Sequence, residues 1–157
     1  MKKLFLGLLV LLLLSAPLFA DMSREELQRM YLDYLRSRNI DAHIDSDGDV
    51  EFRYTGQYFN ALTFWIVVDE RDQQFFRIFK PGIYSLDTAA ERRQAPLAAA
   101  AATYRADVVK IYVQSNGNNV TASAETFVVN PGDFRTVFPK LMRELDRAMN
   151  AFVNAME

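Results

Sequence analysis

The sequence predicts an α+β domain: an antiparallel five-stranded sheet packed with helices, in the order α-β-β-β-α-β-β-α. Three observations carry this. Two groups of β-rich segments, each holding a tight turn signal (Asp47-Gly48 and Asn116-Gly117), are separated by an alanine-rich helix. A long amphipathic stretch closes the chain, with Phe134, Val137, Phe138, Leu141, Leu145, Met149 and Phe152 on one helical stripe. No repeat of solenoid length interrupts the pattern.

The elements follow in order. Ser23 with Glu26 three residues later forms a capping-box signature, and Leu27, Met30, Tyr31, Tyr34 and Leu35 keep helical spacing, so a helix is expected over Ser23 to Arg38. Asn39 can end it in the left-handed region. Asp45-Ser46-Asp47-Gly48-Asp49 is a dense turn signal. Val50, Phe52 and Tyr54 alternate with Glu51 and Arg53 as a strand with one wet face. Tyr58 to Val68 reads as a long central strand, and Gln74 to Phe79 as a third that Pro81-Gly82 ends. Asp87 or Thr88 caps a second helix over Ala89 to Thr103, with a break or kink expected near Gln94–Pro96 because an interior proline removes a hydrogen bond. Val108 to Gln114 and Val120 to Val129 form the last hairpin, and Asp133 is the expected cap of the final helix.

The first twenty residues carry a different message. Lys2 and Lys3 precede the apolar run Leu4 to Leu14, and Ser15-Ala16-Pro17 leads to Ala20, the expected cut. That is the layout of a secretory signal, with an uncleaved anchor as the alternative. The predicted division is residues 1–20 as signal and 21–157 as one domain, periplasmic or secreted, with no stable membrane span after cleavage. With no cysteine, neither a lipidated cysteine nor a disulfide is available.

Composition limits the function. The formal net charge of −2 becomes more negative once Lys2 and Lys3 leave, which argues against a nucleic-acid partner. Twelve Phe and seven Tyr argue for a packed core over a disordered chain. His43 is the single histidine, so a Ser-His-Asp triad or a zinc site would have to use it; its place beside a turn fits a loop or edge-strand residue better. Asp45, Asp47, Asp49 and Glu51 could offer oxygens to calcium, but counted from Asp45 the sixth position is Val50 and the twelfth is Gly56, which is not an EF-hand. Asp133 with Glu125 or Asp107 could serve as a carboxylate pair for sugar hydrolysis, yet nothing in their spacing fixes a separation. No phosphate loop, dinucleotide fingerprint or metalloprotease motif is present. The expectation is a non-enzyme with no cofactor, no metal and no catalytic residues.

The aromatic residues of the first three strands suggest what remains. Core packing accounts for most of Phe52, Tyr54, Tyr58, Phe59, Phe64, Trp65, Phe75, Phe76 and Phe79. A sheet has two faces, and three helices need not cover both. Arg53, Tyr58, Trp65, Phe75 and Arg77 are therefore the candidate partner-binding face, with the arginines as polar rim. A free edge strand offers β-addition of a peptide as a second mode.

The element order and its landmarks resemble the YbjN family. The landmarks are Asp47-Gly48-Asp49-Val50-Glu51-Phe52-Arg53-Tyr54-Thr55-Gly56, then Val108-Val109-Lys110-Ile111-Tyr112-Val113, then Phe134-Arg135-Thr136-Val137-Phe138-Pro139. The similarity spans about Arg24 to Phe152. It implies a sensory-domain-like protein with a fold like that of the type III secretion chaperones, and a binding or helper role with no established reaction. Where family members often carry asparagines in the second helix, this chain has Ala98, Ala99, Ala100 and Thr103. The function expected is an exported binding module for a protein or peptide partner, chaperone-like or regulatory, able also to form a homodimer. The alternative is a small-ligand sensor or carrier with its cavity between the sheet and the stripe Phe138 to Phe152. The least favoured is a carboxylate hydrolase.

Overall fold

The computed structural model describes residues 22–157; the expected signal lies outside them. Ten elements follow in chain order: α1 Arg24–Ser37, β1 Ala42–Ile44, β2 Val50–Tyr54, β3 Leu62–Ile66, β4 Phe75–Ser85, α2 Ala89–Tyr104, β5 Val109–Val113, β6 Asn119–Phe127, a 3-10 turn Pro131–Asp133 and α3 Phe134–Met156. The strands form one sheet in the order β1-β2-β3-β4-β6-β5, and every neighbouring pair is antiparallel. The α+β class and the element order are as the sequence predicts. The sheet gains one strand, because β1 is a three-residue run too short to announce itself by alternation. No helix among the described residues is long and apolar enough to cross a membrane.

Local chemistry explains the helix ends. Ser23 Oγ accepts from the Glu26 N–H, and the Glu26 carboxylate accepts from the Ser23 N–H at 2.7 Å, so the expected capping box exists. Thr88 and Glu91 repeat it at the start of α2. Asn39 follows α1 at φ 57°, the expected left-handed stop. Asp133 does not cap α3 with its side chain. Its carboxylate instead reaches back to the Asn130 N–H at 2.9 Å, bracing the 3-10 turn that launches the helix.

Three sequence expectations are corrected. The long strand Tyr58 to Val68 shrinks to Leu62–Ile66 because the amides ahead of it are diverted: the Gly56 N–H donates to Phe59 O, and the Gln57 and Tyr58 N–H groups donate to the Asp146 carboxylate. Pro81-Gly82 does not end β4. Beyond Phe79 the strand has no β3 partner, so the missing proline donor faces an edge, and a register shift between Lys80 and Tyr84 with Gly82 at φ 64° carries the strand on to Ser85. Pro96 does not break α2. It sits on the exposed side of a continuous helix whose other side, Ala95, Ala98, Ala99 and Ala102, is buried.

The core lies between one face of the sheet and the helices. Phe52, Phe64, Ile66, Phe76, Ile78, Val120, Ala122 and Ala124 point inward from the strands. They meet Tyr31 and Leu35 of α1 and Phe134, Phe138, Leu145, Met149 and Phe152 of α3. Edge-on ring contacts tie α1 to α3, with Tyr31 to Phe134 centroids 4.8 Å apart and Tyr34 to Phe138 5.5 Å apart. Burial pushes the Tyr31 hydroxyl up to about 12.

Candidate functional site

Strand alternation sends every second residue away from this core, onto a face that no helix among the described residues covers. The register lays these residues out in rows. His43, Glu51, Trp65, Phe79, Ser123 and Lys110 cross all six strands in line. On one side of the row Arg77 stands opposite Glu125, and Phe75 opposite Phe127. Arg53 faces Thr63, and Tyr112 faces Thr121.

Arg77 organises the centre. Its Nε donates to Ser123 Oγ at 3.0 Å, one terminal nitrogen donates to the Tyr112 hydroxyl at 3.3 Å, and the guanidinium lies over the Phe79 ring 5.0 Å from its centroid. Glu125 completes the network: it sits 3.5 Å from Arg77 Nε, accepts from Ser123 Oγ at 3.0 Å and is bonded by the Lys110 ammonium. Desolvation, the largest single influence on Glu125, pulls its pKa upward. The hydrogen bonds from Lys110 and Ser123 and the charges of Lys110 and Arg77 together outweigh it and hold the carboxyl below its usual range. Ser123 and Thr121, which would otherwise be open to solvent, are buried beneath these longer side chains. Aromatic pairs flank the network. Trp65 and Phe79 have ring centroids 5.8 Å apart, and Phe75 and Phe127 5.5 Å apart, with Phe127 74 % exposed.

Four of the five residues expected on the bare face are there: Arg53, Trp65, Phe75 and Arg77. Tyr58 is not. It belongs to the β2–β3 connection, where its N–H donates to Asp146 of α3 at 3.3 Å, and its side chain lines a cleft with Ala102, Arg105, Arg147 and Ala151. Its place in an uninterrupted β-like run hid the turn. Lys110, Tyr112, Ser123, Glu125 and Phe127 share the face and were missed. Their period-two spacing in β5 and β6 is the signal that finds them, once β4 is known to pair with β6.

The strand edges offer little to an added peptide. β1 is three residues long. At the other edge Thr103 of α2 plugs the middle of β5: its hydroxyl accepts from the Ile111 N–H at 2.9 Å. It stands where the family resemblance leads one to expect an asparagine, and it does a backbone-capping job.

The remaining polar candidates serve the fold. Asp45 accepts from the Asp47 and Asp49 N–H groups at 2.9 Å each, and Asp49 accepts from the Val68 N–H at 2.9 Å. Burial is the main reason Asp49 is raised above the usual carboxylate range. These carboxylates close the β1–β2 turn, and among the described residues no three His, Asp or Glu side chains converge as a metal site. His43 is an exposed edge-strand residue 3.9 Å from Glu51. Asp146, unremarked in the sequence, is among the described residues the one charged side chain that is buried, 6 % exposed, and its oxygens are taken by the Gln57 and Tyr58 amides. The stripe Phe138 to Phe152 is packed into the core, with Phe138 against Phe52 and Phe152 against Tyr84.

No family model and no curated protein matches the chain. Solved structures do. YbjN from E. coli, a proposed transcription regulator, superposes with a TM-score of 0.58 at 10% identity over 87% of this chain and 92% of that one. An uncharacterized protein from Methanothermobacter thermautotrophicus gives a TM-score of 0.51 at 11% identity over 83% of this chain and 99% of that one. At such identities the likeness is one of fold, and the YbjN-like fold expected from the sequence landmarks is the fold this chain adopts.

Proposed function

We propose that this chain is an exported, non-enzymatic binding module that holds a protein or peptide partner against the helix-free face of its sheet. One observation carries the reading: aromatic pairs stand on both sides of an arginine already fixed by hydrogen bonds, stacking and an ion pair. Such a surface presents rigid aromatic anchors and a guanidinium whose ordering is completed before binding. The cations Arg53, Arg77 and Lys110 are interleaved with Glu51 and Glu125, a mixture suited to a polypeptide and unsuited to a phosphate backbone. That disfavours carrying over the regulator role proposed for the E. coli protein. A small-ligand carrier is the weaker alternative, since the α3 stripe that would line its cavity is engaged in core packing. Hydrolysis has even less support: Glu125 is held ionised between two cations, and Asp133 is occupied by Asn130.

The test is site-specific photo-cross-linking in cells, with the probe at Phe127 or Arg53 and, as control, at Lys140 on the exposed side of α3. The reading expects one discrete protein adduct from the face positions and none from Lys140. Identical adducts from all three positions, or none from the face, would overturn it. Fractionation and intact mass test export: a mature form beginning at Asp21 outside the cytoplasm is expected, and an intact cytoplasmic chain refutes it.

A further inference from the structure

The cleft beside Tyr58 lies on the helix side of the domain and plays no part in the sheet-face reading. Its walls are Tyr58, Arg105 at the end of α2, and Arg147 and Asn150 of α3. Its floor is Ala102, Ala148 and Ala151, and its volume is about 210 Å³. A chain of formal net charge −2 thus sets two guanidinium groups and no carboxylate around one concavity. Arg105 has no ion-pair partner among the described residues. Glu144 bonds Arg147 at 3.1 Å but is shared with Arg143 at 3.6 Å, and Asp146 lies beneath the loop that carries Tyr58. Three arginines therefore meet two carboxylates, which leaves one positive charge at the cleft. Asp107 and Lys140 line the adjoining cleft together and offset each other. The last α2 carbonyls do not reverse the balance, because Ala102 O and Thr103 O accept from the Arg105 and Ala106 N–H groups.

The loop that walls the cleft is fixed by an expensive device. Asp146 is a buried carboxylate whose partners are the Gln57 and Tyr58 amides, at 2.7 and 3.3 Å. An apolar side chain in its place could stabilise the fold as well, so a buried ion of this kind earns its position by fixing geometry. What it fixes is a surface tyrosine, 49 % exposed, beside the two arginines. We infer that the cleft binds a small organic monocarboxylate, with the carboxylate between Arg105 and Arg147 and the carbon body on the alanine floor beside the Tyr58 ring. Guanidinium forks match the two oxygens of a carboxylate. The alanines offer apolar surface that an inorganic anion cannot use. The volume lies below the roughly 300–1,000 Å³ of sites for drug-sized molecules, which selects a small body, and the single uncompensated charge selects a monoanion. The site is independent of the sheet face, which lies on the other side of the strand layer.

Butyrate is the probe, titrated into the full chain at constant ionic strength and followed by amide NMR. Saturable binding is expected with a Kd of about 1 mM or tighter, and with shifts centred on Tyr58, Ala102 and Ala151. Butyramide lacks the charge and inorganic phosphate lacks the carbon body, so each should bind weaker by about tenfold or more. Arg105→Gln and Arg147→Gln should each weaken butyrate by about tenfold, as should Ala151→Met, which fills the floor. Arg71→Gln, exposed in the β3–β4 turn, should leave it unchanged. No saturable butyrate binding, equal binding of phosphate, or an affinity indifferent to both arginine substitutions overturns the site. An N-acetylated alanine dipeptide presents the same carboxylate at a peptide end; if it binds more tightly than butyrate, the assignment to a free acid is overturned. Trp65→Ala should remove the sheet-face adduct and leave the butyrate affinity intact, which separates failure here from failure of the partner-binding reading.

Discussion

Gly56 and Asp146 should behave as one unit in a double-mutant cycle. Asp146 projects from α3 and is 6 % exposed; Oδ2 accepts from the Gln57 N–H at 2.7 Å, and the carboxylate accepts more weakly from the Tyr58 N–H at 3.3 to 3.4 Å. A Cβ at position 56 would stand 2.1 Å from Oδ1 and 2.5 Å from the carboxyl carbon. Glycine is required here by closeness of approach, since its backbone is not in the left-handed region. One strong charge-assisted bond and one weak one are together worth about 2–4 kcal/mol, so Asp146→Ala should destabilise by about that much. Gly56→Ala should do the same or more, because it displaces the carboxylate and leaves a buried charge without its donors, at about 3–5 kcal/mol. In the double variant the clash has no second party, and the total should stay near that of Asp146→Ala alone. The expected coupling therefore equals the cost of Gly56→Ala, about 3–5 kcal/mol, far outside the few tenths seen for independent sites. Urea unfolding followed by circular dichroism and by the fluorescence of Trp65, the single tryptophan, reads it as midpoint shifts of about 1–2 M. Additive single effects would refute the reasoning, and so would Gly56→Ala with wild-type stability.

Three more outcomes follow from local chemistry. Tyr31 titrates near 10 when unfolded and at about 12 in the core, so the folded state keeps its proton longer; stability should fall as pH rises from about 10 to 12, by roughly 2–3 kcal/mol, and Tyr31→Phe should remove that part of the alkaline loss in unfolding curves taken across this range. Val108, half exposed, is held at φ 57° just before β5, a region that disfavours a β-branched residue by about 1–2 kcal/mol. Val108→Asn should therefore raise stability by about 1 kcal/mol, and a lower urea midpoint would show that packing compensates the strain. Thr103→Val leaves the Ile111 N–H without its acceptor and should lose about 1–2 kcal/mol, with amide exchange at Ile111 accelerated more than at Ile78 in the sheet centre.

What the sequence disclosed was whatever physics acts locally. Ser23 with Glu26, the stop at Asn39 and the stripe from Phe134 to Phe152 are readable because a cap, a left-handed residue and a helical period each involve residues within a few positions of one another. What stayed hidden was set across long sequence separations. Tyr58 looks like strand until Asp146, nearly ninety residues away, withdraws its amide from the ladder. Pro81 looks like an end until β4 is found paired on one side only beyond Phe79. Half of the candidate face was visible for the same reason and half was not: Trp65, Phe75 and Arg77 lie in the β3–β4 stretch, whereas Glu125 and Phe127 join them only through the β4–β6 pairing, across the whole of α2.

That pairing also decides how the bare face relates to the groove beside α2. β6 lies between β4 and β5, so the Arg77 network reaches the edge strand through Tyr112 and Lys110, and these same strand residues border the α2 groove. Tyr112 stands at the corner where the bare face turns into the groove, 38 % exposed, with its hydroxyl held by Arg77. Tyr112 and Lys110 thus belong both to the Arg77 network and to the lining of the α2 groove, so a substitution at either alters both surfaces.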